Sequence, residues 1–166
     1  MSLEATAARV WKRLAPADRL VAAGALWTQP PQEVLGAALG AIVKARHLRP
    51  QAARALKPEE QASILASVLD PGEAVCSALL VALHLAARRP LLVAFLDAVG
   101  LPHEDGVLKE EAEAAPPLGE EKARQGVLAV KAAFPPDQVL TYLNTLWLQD
   151  PGRWQALENS PGWLAA

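Results

Sequence analysis

The sequence predicts an all-α fold of stacked antiparallel helix pairs, and three observations carry that prediction. An apolar helical phrase bounded by prolines occurs three times, prolines recur at the spacing of helix starts, and no stretch alternates as a strand would. The phrase reads LAPADRLVAAGALWTQPP at 14–31, LKPEEQASILASVLDP at 56–71 and FPPDQVLTYLNTLWLQDP at 134–151. Copies one and two are offset by 42 positions, and copies one and three by 120. A recurrence of roughly 40 residues is the mark of stacked helix pairs. The alternative within the same class is a globular multi-helix bundle whose Pro-capped helices imitate a repeat.

Each element follows from local chemistry. Proline is tolerated in the first helical turn, where its missing N–H would have had no intrahelical partner, and it cannot continue a helix that is ending. Pro16, Pro31, Pro50, Pro58, Pro71, Pro90, Pro136 and Pro151 therefore mark helix starts. Helices are expected to begin near residues 3, 16, 31, 50, 58, 71, 90, 104, 119 and 136, with a short one near 151. Asp70, Pro71 and Glu73 read as N-cap, N1 and N3 of a capping box, and Asp150 before Pro151 repeats its first half. Apolar residues at Leu35, Leu39 and Ile42, at Ile64, Leu65, Val68 and Leu69, and at Val139, Leu140, Leu143, Leu146 and Trp147 keep the helical period. The one Asp-Gly pair, Asp105-Gly106, lies in a charged stretch and is not taken as a hairpin.

Because Ala and Leu match by chance in such a chain, only rarer residues test the repeat. Pro16, Pro58 and Pro136 coincide in all three copies, and Trp27 with Trp147, Gln29 with Gln149 and Pro31 with Pro151 agree at one offset. Helix-pair units are expected at 16–47 and 58–88, and in stretched form at 119–148. The segment 90–118 requires one diverged repeat. These short loops and amphipathic pairs resemble helical-repeat solenoids of the HEAT and tetratricopeptide type. The resemblance is to an architecture; the spacing near 41 differs from the 34-residue tetratricopeptide unit.

At 166 residues one domain is expected over 1–166, large enough for a single core, with an irregular acidic segment at 103–118. The longest apolar run, residues 75–87, has 13 members where a bilayer needs about 20, so it reads as a buried helix. A single cysteine, Cys76, excludes an internal disulfide and suits a reducing compartment. MSLEATAARVWKRL has no apolar signal core, and the cytoplasm is the expected location. Richness in Ala, Leu, Pro and Arg fits either a thermophile or a GC-rich genome.

Charge is unevenly placed. Residues 1–103 carry eleven Lys and Arg against eight Asp and Glu, and residues 104–166 five against ten, within a net charge of −2. No global field draws the chain to nucleic acid or an anionic membrane. Lys44, Arg46, Arg49, Arg54 and Lys57, with His47 among them, and Arg88 and Arg89 would form one basic edge if the units stack in register. Such an edge suits phosphate or carboxylate groups. Cations near helix C-termini also complement the macrodipole, at about 0.3 to 1 kcal/mol each, without binding anything. The acidic counterpart, from Glu104 to Glu121 around Pro116 and Pro117, reads as a solvated linker or as a contact for the basic edge of a second copy.

Other candidates are sparse. Gly36 and Gly40, flanked by Ala37, Ala41 and Ala45, make a small-residue stripe that either a neighbouring helix of the same chain or a partner covers. Cys76 and His84 lie about 12 Å apart along one helix and read as core residues. His103, Glu104 and Asp105 are too close in sequence to surround a metal ion unaided. Neither Glu-x-x-His pairs nor a glycine-rich phosphate loop occurs, so no catalytic residue, metal or cofactor is assigned. Trp27 and Trp147 are expected in the core, and Trp154 and Trp163 to dock on the last helix pair or at an interface. These features predict a protein-interaction or assembly module, binding another protein or a second copy. The alternatives are a helical bundle holding a small apolar or anionic ligand, and a nucleic-acid accessory protein using 44–57 and 88–89.

Overall fold

Proline sets the helix starts in the folded chain as well. The structure, a computed structural model, describes residues 6–159, and there Pro16, Pro50, Pro58 and Pro136 each occupy the first position of a helix. Pro90 occupies the second position of its helix, and Pro31 is the N-cap of the next one after Pro16. The ten α-helices among the described residues are α1 (Ala7–Arg13), α2 (Pro16–Thr28), α3 (Gln32–Arg46), α4 (Pro50–Ala55), α5 (Pro58–Ser67), α6 (Glu73–Ala87), α7 (Arg89–Val99), α8 (Glu110–Glu113), α9 (Glu120–Ala133) and α10 (Pro136–Gln149). A 3-10 helix, Gln155–Asn159, follows. The fold is all-α in the coarse sense, since the two strands, β1 (His103–Glu104) and β2 (Val107–Leu108), are two residues each.

The described chain resolves into two compact units, residues 6–87 and 88–159. In the N-terminal unit α2 packs on α5 and α6, α1 on α6, and α3 on α4, α5 and α6. The fully buried Ala22 and Ala23 let α2 lie close to its neighbours, over a core that includes Trp11, Ile42, Leu65, Leu79, Leu80 and Leu83. Each large apolar side chain so buried contributes about 1.5 to 3 kcal/mol. Trp11 satisfies its indole by donating Nε1–H to the Val68 carbonyl at 2.9 Å, which ties α1 to the end of α5. The partners of α2 are remote in sequence, and these contacts do not establish a stack of sequential helix pairs. The recurring phrase is, locally, a recurring helix start.

The capping box expected at Asp70 does not form. Gly72 adopts φ +103, outside the helical region, so α6 begins at Glu73 rather than at Pro71. The Glu73 carboxylate instead accepts hydrogen bonds from the Ala7 and Ala8 amides, capping the first turn of α1 with the charge that a helix N-terminus favours. Asp150 does cap the turn after it, through an Arg153 N–H at 3.1 Å.

In the C-terminal unit α7 packs on α9, and the 3-10 helix on α9 and α10. A Cβ at Gly126 of α9 would stand 2.6 Å from the Val99 side chain and 2.8 Å from Phe95, so this helix pair needs glycine to approach. Phe95 meets Tyr142 edge-on at 5.5 Å and Trp154 at 5.9 Å, forming the aromatic centre of the unit. Asp105-Gly106, set aside as a hairpin on sequence grounds, is the turn between β1 and β2. His103 pairs with Leu108 and Glu104 with Val107, leaving a two-residue loop. Its φ values of +49 and +87 are what a two-residue turn of the primed type demands and what Asp-Gly supplies. Strands of two residues are too short to show alternation, so periodicity gave no sign of them.

That hairpin and α8 give the acidic segment its own order. Arg89 donates to the Asp105 carbonyl at 2.7 Å and lies 3.3 Å from its carboxylate. The Arg153 guanidinium donates to the carbonyls of Ala112 and Glu113 at the end of α8, and the Leu118 amide donates to the Arg153 carbonyl. Trp27 and Trp147, expected in the core, are both partly exposed, whereas Trp11 and Trp154 are buried. The exposed indoles are still anchored, Trp147 Nε1–H on the Glu158 carboxylate at 2.7 Å and Trp27 on Gln61.

Candidate functional site

The N-terminal unit leaves two helix faces uncovered. On α2 the exposed positions Ala17, Leu20, Val21 and Gly24 follow one another at helical spacing, with Leu20 50% and Val21 43% exposed. On α3 the exposed positions include Gly36, Ala37 and Gly40. A Cβ built at Gly24, Gly36 or Gly40 meets nothing within 4 Å among the described residues. The stripe on α3 is therefore not filled by a neighbouring helix of its own unit, since α3 turns Ala38 and Ile42 inward to α4, α5 and α6 and leaves its glycines outside.

Beside that stripe lies an open groove of about 440 Å³, lined by Trp27, Gln32, Leu35, Gly36, Leu39, Arg54 and Gln61. Its geometry rests on one buried amide. Gln61, 7% exposed, accepts the Trp27 indole N–H through Oε1 and donates through Nε2 to the Ala53 carbonyl at 3.0 Å. It thereby joins α2, α4 and α5 where the groove lies. With its only polar group satisfied, Trp27 presents an apolar ring held in place. Arg54, from α4, is the one charged residue among the described residues that line the same groove.

The basic residues named from the sequence separate into two groups. Lys44, Arg46, Arg49, Arg54 and Lys57 are exposed in the N-terminal unit, with no ion-pair partner among the described residues. Arg46 borders a second depression, of about 380 Å³, where Glu59 and Glu60 offset it. His47 ends α3 in the left-handed conformation, at φ +53. Arg88 and Arg89 belong to the C-terminal unit, where Arg88 is buried and Arg89 holds the hairpin turn. Trp154, 2% exposed, contributes to the core of its own unit and offers no face to a partner. Trp163 lies outside the described residues.

The remaining titratable candidates are occupied structurally. Gly106 N–H donates to His103 Nδ1 at 3.1 Å, which makes that nitrogen the acceptor and leaves Nε2 to donate to the Asp97 carboxylate at 2.7 Å. His84 is buried with Nδ1 2.7 Å from the Leu80 carbonyl one turn back. Burial first, then the charges of Glu73 and Asp70, pushes the Cys76 thiol up to about 12, so it stays protonated and unreactive at neutral pH. Burial also pushes the Tyr142 phenol well above its usual value. No three His, Cys, Asp or Glu side chains gather into a metal-binding group among the described residues. No single helix there is long and apolar enough to cross a membrane.

Sequence reasoning found the α3 stripe and Arg54 but missed Gln61 and the apolar face of α2. The signal for Gln61 was a lone amide among the inward positions of α5, between Pro58 and Leu65. The signal for α2 was Leu20 and Val21 adjoining the inward Ala22 and Ala23, which makes that helix apolar on more than one face. No protein-family model matches the chain, and no curated protein and no solved structure matches it.

Proposed function

We propose that this chain is a protein-interaction or assembly module whose N-terminal unit carries the binding surface. The observation behind the reading is a pair of uncovered faces, the apolar run Ala17, Leu20, Val21 and Gly24 on α2 and the small-residue run Gly36, Ala37 and Gly40 on α3, the latter bounded by the exposed Glu33 and Lys44. Single exposed apolar residues are ordinary, but a contiguous apolar helical face such as that of α2 marks a surface that another protein covers. Small residues favour a helix as the covering element, since backbones approach most closely where side chains are shortest.

The test compares the tagged wild-type chain with a Leu20→Asp, Val21→Asp variant in affinity capture from the native lysate. Both positions are exposed, so the variant should keep its circular dichroism and melting temperature. The reading requires a stoichiometric protein that the wild type retains and the variant loses. Capture of a metabolite alone, or equal capture by both chains, overturns it.

A further inference from the structure

We propose that the groove beside α3 binds an acidic amphipathic helix of a partner protein, seating an apolar side chain against Trp27, Leu35 and Leu39 and a carboxylate on Arg54. This rests on the interaction reading above and names the chemistry of the partner. Three features of the groove select such an occupant.

The first is charge. Within residues 44–57 five cations stand exposed without ion pairs among the described residues, and Arg54 is the one that reaches the groove itself. Glu59 and Glu60, the acids nearest in sequence, face the separate depression beside Arg46, whereas the described residues lining this groove include Arg54 and no acid. A guanidinium beside an apolar wall binds a carboxylate in two-pronged fashion and rejects an ammonium group. The second feature is shape. Gly36 adds no side chain of its own between Gln32, Leu35 and Leu39, and the space its Cβ would enter is open, so a helix can approach the α3 backbone at that point. The third is readiness. Gln61 already holds the Trp27 indole, so binding orders no new anchor and loses little conformational entropy. Apolar anchors with a flanking charge at one-turn spacing are what a helix presents to such a groove.

The probes are three fluorescein-labelled helical peptides: one with a Leu stripe and Glu one turn from it, its Glu-to-Lys counterpart, and a scramble of the first without an apolar face. Fluorescence polarisation would measure each against the wild type and against Gly36→Leu, Arg54→Glu and Arg13→Glu chains. Gly36→Leu points into open space and should leave the fold intact, which circular dichroism verifies. The expected result is binding of the acidic peptide alone, weakened at least tenfold by Gly36→Leu and by Arg54→Glu, and unchanged by Arg13→Glu on α1. Equal binding of the Lys peptide or of the scramble, equal weakening by Arg13→Glu, or no binding by any peptide overturns the proposal. So does self-association of the wild type that Gly36→Leu abolishes in sedimentation, because the occupant is then a second copy. Affinity capture separates this failure from that of the broader reading. A partner lost by Leu20→Asp, Val21→Asp but kept by Gly36→Leu leaves the interaction module standing and removes the groove; no partner for the wild type removes both.

Discussion

Four glycines show how much a residue's role depends on what surrounds it. At Gly36 and Gly40 an added methyl enters open space, whereas at Gly126 it enters Val99 and Phe95, and at Gly106 it stands 2.8 Å from Leu92 on a backbone with positive φ. Gly40→Ala should therefore stabilise the chain by about 0.5 to 1 kcal/mol, the helix-propensity gain with nothing to oppose it. Gly126→Ala gains the same term but overpacks the α7–α9 contact, for a net loss of about 1 to 3 kcal/mol. Gly106→Ala adds backbone strain to its clash and should fall at least as far. Urea denaturation followed by circular dichroism orders the three variants, and a destabilised Gly40→Ala would show that its face is covered after all. Cys76 makes a prediction in pH. Its folded value lies near 12 against an ordinary 9.0, so the folded state disfavours the thiolate. The stability it contributes is complete below pH 9 and is lost as pH rises from there toward 12, at no more than about 1.4 kcal/mol per pH unit. Alkylation of the native chain at pH 8 should be slow, and Cys76→Ala should flatten part of the alkaline fall in melting temperature. Tyr142 contributes loss of the same sign, so the variant leaves a residue of it.

Elements divide by how local their causes are. Most helix starts were legible because proline acts locally, through its own ring and missing N–H. Pro16, Pro50, Pro58 and Pro136 accordingly sit where expected. The start at Pro71 was misread because Gly72 takes a positive φ and Glu73 serves α1, a contact 66 residues away in sequence. The acidic segment was illegible for the same reason: its order depends on Arg89 from one side and Arg153 from the other. Arg153→Met should leave the helices of the C-terminal unit folded while the amides around Ala112 to Leu118 exchange faster, since the carbonyls of α8 lose their charged donor. Hydrogen-exchange mass spectrometry reads this directly, and unchanged exchange would show that the turn orders itself. Gln61→Leu is the matching test in the N-terminal unit. It strands the Trp27 indole and leaves the Ala53 carbonyl with only the longer bond from the Leu56 N–H at 3.4 Å, which should lower stability by about 1 to 3 kcal/mol and release the Trp27 ring. The groove was only half legible, because Arg54 and the glycine stripe are visible in sequence while the face of α3 left bare is decided by which helices cover the other.

At the scale of the molecule, charge and structure divide at nearly the same place. The unit at 6–87 carries nine Lys and Arg against six Asp and Glu, and the unit at 88–159 seven against eleven. Each unit also has its own core, one around Trp11, Ile42, Leu65 and Leu80, the other around Phe95, Tyr142, Leu143 and Trp154. A fragment of residues 6–87 should therefore fold alone. A chain of about that length buries a little over 60% of its unfolded surface and is marginal, so modest stability and a low melting temperature are expected. The caps that matter are retained, since Glu73 and the α1 amides it serves both lie inside the fragment, as do Gln61 and its two partners. Circular dichroism of the fragment should show helix content matching α1 to α6 and a cooperative thermal transition. If it folds, the acidic peptide should bind it as it binds the full chain, because every residue of the groove is present. An unstructured fragment would mean that the two cores are not energetically separate and that the charge division is a surface property only. A folded fragment that cannot bind would place part of the recognition outside residues 6–87.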